Sequence, residues 1–104
     1  MRTLLLPSMV MYNRDFVALG GVNCAVYLSN LLWEMEQSQT DDGWLHERPE
    51  EMQKRTGLSP HEQTMARIQL RGLGIVTDEV RGQHAHFIKV SMDKLLAALK
   101  ERDA

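Results

Sequence analysis

Residues 56 to 62, Thr-Gly-Leu-Ser-Pro-His-Glu, leave the chain little choice of local shape. Gly57 stops the helix before it, since glycine takes the left-handed conformation past a helix end at no steric cost. Ser59 is a natural N-cap, Pro60 suits the first helical position, and Glu62 completes a capping box. Upstream, Pro49 followed by Glu50 and Glu51 marks another helix start, with the acids at the positive end of the dipole. The spacing thus predicts two helices, Pro49 to about Arg55 and Pro60 to about Leu73, joined by a four-residue turn.

Gly74 ends the second helix. "IVTDEV" then reads as a strand, "RGQ" as a turn with its tip at Arg81-Gly82, and "HAHFIKV" as a second strand, together a hairpin. "WLHE" is long enough for a short third strand beside it. Upstream, residues 3–10 form an extended arm or strand, and Asn13 or Asp15 starts a short helix through "RDFVAL" that Gly20-Gly21 ends. "VNCAVYLSNLLWEMEQS" carries Cys24, Tyr27, Leu28, Leu31, Leu32 and Met35 at spacings of three and four, one apolar stripe of a helix. "QTDDG" is a turn. Ser91 caps a last helix, about 91–102, striped by Met92, Leu95, Leu96 and Leu99.

The chain has 104 residues, the length of one domain, 1–104, with residues 1–12 as an arm or strand. The order of elements predicts a mainly α fold with a small antiparallel sheet, of the winged helix-turn-helix kind. At 100° per residue, Ala66, Leu70 and Leu73 share the core side of the second helix, flanked by Glu62, Gln63 and Gln69. His61, Thr64, Arg67, Ile68 and Arg71 fall on the opposite half, with Met65 at the boundary. In a helix-turn-helix that outward half enters the DNA major groove. Arginine can bond guanine edges or clamp phosphate, and threonine can touch a thymine methyl or a phosphate. Lys54, Arg55, Arg81 and Lys89 are candidate phosphate contacts. The net charge of −2 gives no global pull toward nucleic acid, so binding must rest on this local patch.

The stretch from Asp41 to Leu95 resembles the winged-helix domains of phage and mobile-element replication proteins, the replication initiators and replisome organisers. The resemblance rests on Gly43-Trp44, Thr56 to Ser59, Glu62-Gln63, Ala66-Arg67 and Leu70 through Ile75, with "GGVNCAVYLSNLLW" similar to the first long helix of that family. It implies binding of double-stranded DNA in the replication of a phage, plasmid or integrative element, or in its control. The chain departs from the family at Ile68, where a basic residue is commoner, and in the wing "EVRGQHAH", which is poorer in Lys and Arg.

Other chemistry has little support. The single cysteine, Cys24, excludes an intramolecular disulfide and lies in an apolar pattern that makes it a buried thiol. His84 and His86 alternate along an expected strand and so face one side, but no third ligand stands at a recognisable spacing. Asp41-Asp42 and Glu50-Glu51 have local structural reasons in a turn and at a helix start. No phosphate-cradling glycine loop, nucleophile elbow or HExxH occurs, so no enzyme, catalytic residue, cofactor, metal or small-molecule substrate is expected. Trp33 and Trp44 read as core and edge packing rather than stacking platforms for bases. No run approaches the ~20 apolar residues of a membrane span, and a cytoplasmic setting follows as the simplest expectation. Leu4, Leu5, Leu6, Met9 and Val10 at one end, with Leu95, Leu96 and Leu99 at the other, exceed what one small domain can cover, which predicts a homodimer or, as the alternative, docking on the rest of a longer protein. The rival to DNA binding is a protein-interaction module of the same fold with little DNA affinity, favoured by the acidic net charge and by Ile68.

Overall fold

The computed structural model describes residues 10–38 and 42–103; Leu4, Leu5, Leu6 and Met9, with most of the expected arm, lie outside them. The Asn13 side chain accepts a hydrogen bond from the Asp15 N–H (2.9 Å) and starts a 3-10 helix, Arg14–Leu19. Helix α1 follows, Val22–Ser38. A Cβ on Gly20 would stand 2.6 Å from Gln69 Cγ and 2.8 Å from Cys24 Sγ, so this entry to α1 needs glycine to pass close to the later helix. Cys24, Tyr27, Leu28 and Leu31 are buried as the stripe predicts, and Leu32 and Met35 pack at its edge. Cys24 is a buried free thiol whose pKa burial pushes up. Trp33 does not share that environment: it is 51% exposed, which corrects the expectation of core packing.

Strand β1 is Leu45–His46, helix α2 is Pro49–Thr56 and helix α3 is Pro60–Gly72. The connecting turn has three residues, not four, because Thr56 extends α2. Its hydroxyl donates to the Met52 carbonyl (2.7 Å) and accepts the Leu58 N–H (3.0 Å). Leu58 at the centre of the turn is buried. Both arms of the capping box form: the Glu62 N–H donates to Ser59 Oγ (3.1 Å) and the Ser59 N–H to Glu62 Oε1 (2.8 Å). The Ser59 N–H, foremost, holds the Glu62 carboxyl below the ordinary glutamate range. At the other end of α3, Gly74 has φ +78°, its N–H reaches the Arg71 carbonyl (3.0 Å), and the Ile75 N–H reaches the Leu70 carbonyl (3.0 Å). That is a Schellman ending, and its two apolar partners, Leu70 and Ile75, are fully buried.

Strands β2, Val76–Arg81, and β3, Ala85–Val90, form an antiparallel hairpin, and β1 pairs with the far side of β3, giving the order β1-β3-β2. Leu45, Val76, Ile88 and Val90 point into the core and are buried. The tip is Gly82-Gln83-His84. His84 sits in it with φ +68°, so it is a turn residue and does not share a strand face with His86, contrary to the expected alternation. Helix α4, Met92–Asp103, is capped by Ser91 Oγ, which accepts the Lys94 N–H (3.2 Å), and packs mainly on the 3-10 helix. Leu95 and Ala98 are buried and Leu99 partly so, while Met92 and Leu96 face outward. The architecture is thus mainly helical with a small three-stranded antiparallel sheet.

Candidate nucleic-acid interface

Helix α3 has the two faces the sequence assigns to it. Gln63, Ala66 and Leu70 are buried, whereas His61, Met65, Ile68 and Arg71 are exposed, Ile68 at 45%. Two residues of nucleic-acid-contacting type turn out to serve the fold. The Gln63 amide donates to the carbonyls of Pro49 and Leu58 (both 3.0 Å), tying the start of α2 and the turn to α3. The Gln69 amide donates to the Leu19 carbonyl (2.9 Å) and ties α3 to the 3-10 helix.

The arginines of the outward face are not free. Arg67 Nη1 donates to Glu47 Oε1 (2.9 Å), the same oxygen that accepts the Tyr27 hydroxyl (2.8 Å). Arg67 Nε lies 3.7 Å from Asp78 Oδ2, and Arg71 Nη1 is 3.1 and 3.0 Å from the two Asp78 oxygens. Thr64 joins the chain: its hydroxyl donates to the Pro60 carbonyl (2.9 Å) and accepts from Arg67 Nη2 (3.3 Å). One network therefore runs Tyr27–Glu47–Arg67–Asp78–Arg71, from the core of α1 to the surface of α3. Its depth is graded. The Glu47 side chain is 9% exposed and Arg67 21%, against 50% for Arg71. Burial works against the Arg67 charge, but Glu47 and Tyr27 outweigh it and raise its pKa.

The remaining candidates occupy other places. Arg55 pairs with Glu34 of α1 and lies over the Trp33 ring (5.5 Å), away from the outward face of α3. Lys54 is exposed nearby on α2. Both border a groove of about 740 Å³ between α1, α2 and the segment before the 3-10 helix, floored by Phe16, Leu32 and Trp33. Arg81 pairs with Glu79, and Lys89 stands over Trp44 (5.7 Å), both on the outer face of the sheet. Sequence reasoning missed Tyr27, Glu47 and Asp78 as partners. Asp78 left one trace: it shares a strand face with buried Val76, where an acid needs a partner.

Tyr27 makes the network sensitive to alkali. Burial, above all, and the neighbouring Glu47 carboxylate raise its phenol pKa well beyond the ordinary value of 10.0. In the unfolded chain Tyr27 ionises at about pH 10. Above that pH the unfolded state releases a proton that the folded state keeps, so stability is full below about pH 10 and falls as pH rises past it. Tyr27→Phe should flatten that fall in urea melts taken from pH 9 to 11.5; an unchanged alkaline limb would contradict the assignment.

No family model, curated protein or solved structure matches the chain. Among the described residues, no group of three or more His, Cys, Asp or Glu side chains is placed to hold a metal ion, and no helix is long and apolar enough to cross a membrane.

Proposed function

We propose that the chain is a winged helix-turn-helix module that binds double-stranded DNA, acting in the cytoplasm in the replication of a phage, plasmid or integrative element or in its control. The observation that carries this reading is the exposed row His61, Ile68 and Arg71 on a helix whose opposite row is buried, preceded by a tight capped turn and followed by a hairpin. The resemblance to replication proteins supports the same reading. In it, α3 enters the major groove with His61, Thr64, Ile68 and Arg71, while Arg81 at the hairpin end meets phosphate. Arg67 braces α3 from below. Arg71 must exchange Asp78 for a phosphate, which costs part of the gain, so affinity is weak and strongly salt-dependent. Anisotropy titration of a labelled mixed-sequence duplex at low salt tests the proposal, and absence of binding would refute it.

Ile68 offers a direct check. Ile68→Arg adds a donor and a positive charge in the middle of the outward row, so non-specific affinity should rise and the salt slope steepen by about one. Since the residue is 45% exposed, the change should shift stability by no more than about 0.5 kcal/mol. A melting temperature lowered by ten degrees would show that Ile68 packs instead.

The second reading is a protein-interaction module. It is favoured by the groove floored by Phe16, Leu32 and Trp33, and by carboxylates that already occupy the arginines of α3. A second copy of the chain is also proposed as a partner. Leu95 and Leu99 serve the core, so Met92 and Leu96 are the apolar residues α4 offers it. Light scattering over a concentration series checks this, and a monomer throughout would refute it.

A further inference from the structure

The face of the sheet turned away from the helices carries aromatic rings that the duplex-binding reading does not use, beside Arg81, which it does. Cross-strand partners His46 and Phe87 stack with ring centroids 5.0 Å apart and planes 18° from parallel. Trp44 continues the row one step before His46's strand pair. Arg81, registered against the small Ala85, lays its guanidinium 4.4 Å from the Phe87 ring and 5.3 Å from that of Trp44. Lys89 stands 5.7 Å from the Trp44 ring. His46 and Lys89 are exposed, Trp44, Phe87 and Arg81 partly so. Inward neighbours on the same strands, Leu45, Ile88 and Val90, are aliphatic and buried. The aromatic side of the sheet is therefore the solvent side, the reverse of what packing requires.

We propose that this face binds single-stranded nucleic acid. A base that takes the place of the Arg81 guanidinium on the Phe87 and Trp44 rings gains a stacking surface that tolerates any sequence, because every base has a π face. Cations beside the rings supply what the backbone needs. Lys89 is exposed, and Arg81, whose carboxylate partner is the exposed Glu79, can turn from ring to phosphate. Duplex DNA, with its bases already stacked and paired, cannot use the rings. Single strands that expose base faces are recognised in this way on other antiparallel sheets. The chemistry needed is a base face and a phosphate, which single-stranded DNA and RNA share. The surface is distinct from the outward row of α3, because Glu79 and Phe87 point to the opposite side from Asp78 and Ile88. The inference stands whether or not α3 binds duplex.

The test is anisotropy titration of the whole chain with labelled twelve-nucleotide oligo-dT and oligo-rU at low salt. At least one should bind, and which one identifies the source. Phe87→Leu and Trp44→Leu, each checked for a cooperative melt, should weaken binding about tenfold. Lys89→Ala, on an exposed side chain and thus a safeguard should the aromatic variants fail to fold, should lower the salt slope by about 0.7. Duplex binding through the outward row of α3 should persist in these variants, since none of them replaces a residue of that row. The proposal is overturned if neither oligonucleotide binds. It is equally overturned if all folded variants bind as the parent does, or if binding is abolished by Ile68→Glu on α3 instead.

Discussion

Glu47→Ala should lower the stability of the domain by about 3 kcal/mol. One carboxylate oxygen there accepts both the Tyr27 hydroxyl and Arg67 Nη1, and the side chain is nearly sealed from water. Truncation leaves a buried phenol without an acceptor and a largely covered guanidinium with only the Thr64 hydroxyl and the more distant Asp78. The cost is chiefly that of the orphaned partners, not of the lost attraction. In a domain of this size, with 104 residues, the melting temperature should fall by roughly 12 °C or more. Tyr27→Phe removes a donor but leaves the Glu47–Arg67 pair whole, so it should cost only about 1 kcal/mol. In the Glu47→Ala/Tyr27→Phe double variant the orphaned phenol is gone, so the combined cost should be less than the sum of the two. Thermal melts of the three variants check the ordering. A melting temperature for Glu47→Ala within two degrees of the parent would show the network to be decorative.

Asp78→Asn should do the opposite at the surface end of the same network: stability barely moves and DNA affinity rises about tenfold. Arg71 is half exposed and its pair with Asp78 is of the kind worth about 0–1 kcal/mol. Its functional weight is larger than its stabilising weight. The Asp78 carboxylate sits where a phosphate would meet Arg71, and it also lies within 3.7 Å of Arg67 Nε. Removing its charge frees one guanidinium and lifts one repulsion from the approaching backbone. The slope of log affinity against log salt should steepen by about 0.9, one phosphate more than the parent. Arg67 stays with Glu47, so a second added contact is not expected. Titration of the same duplex by both chains measures the difference. Equal affinity at low salt would mean that Arg71 is not part of the DNA surface.

The fold and its buried network also show what sequence can and cannot disclose. The capped turn between α2 and α3, the ending at Gly74 and the stripe of α1 depend on residues a few positions apart, and their physics is local. Gly57, Ser59, Pro60 and Glu62 specify a stop and a start almost without reference to the rest of the chain. Ile68 was legible as exposed for the same reason, since helical phase fixes it against Ala66 and Leu70. Arg67 was not legible. Whether it faces solvent or braces the fold depends on Glu47, twenty residues earlier and beyond a whole helix, and on Asp78 across a turn. Helical phase sets Gln63 and Gln69 beside the core, but which carbonyls their amides meet is not legible, because an amide is equally fit to bond a base edge or a stray carbonyl, and only the fold decides. Trp44 is half-buried at the sheet edge, as edge packing requires, but its place on the outer face follows from strand register, which no short window contains. His84 failed for a smaller reason: the tip of the hairpin lies one residue later than the Arg-Gly pair implied, and a shift of one residue moves a side chain out of its row.

The central claim is that duplex DNA is met by the outward row of α3 and the end of the hairpin. Amide chemical shifts of the ¹⁵N-labelled chain, followed during titration with a mixed-sequence duplex at low salt, test it residue by residue. The largest shifts are expected at His61, Thr64, Ile68, Arg71 and Arg81, with Leu32 and Trp33 of the α1 groove unmoved. No shift at saturating duplex, or shifts centred on that groove, would contradict it.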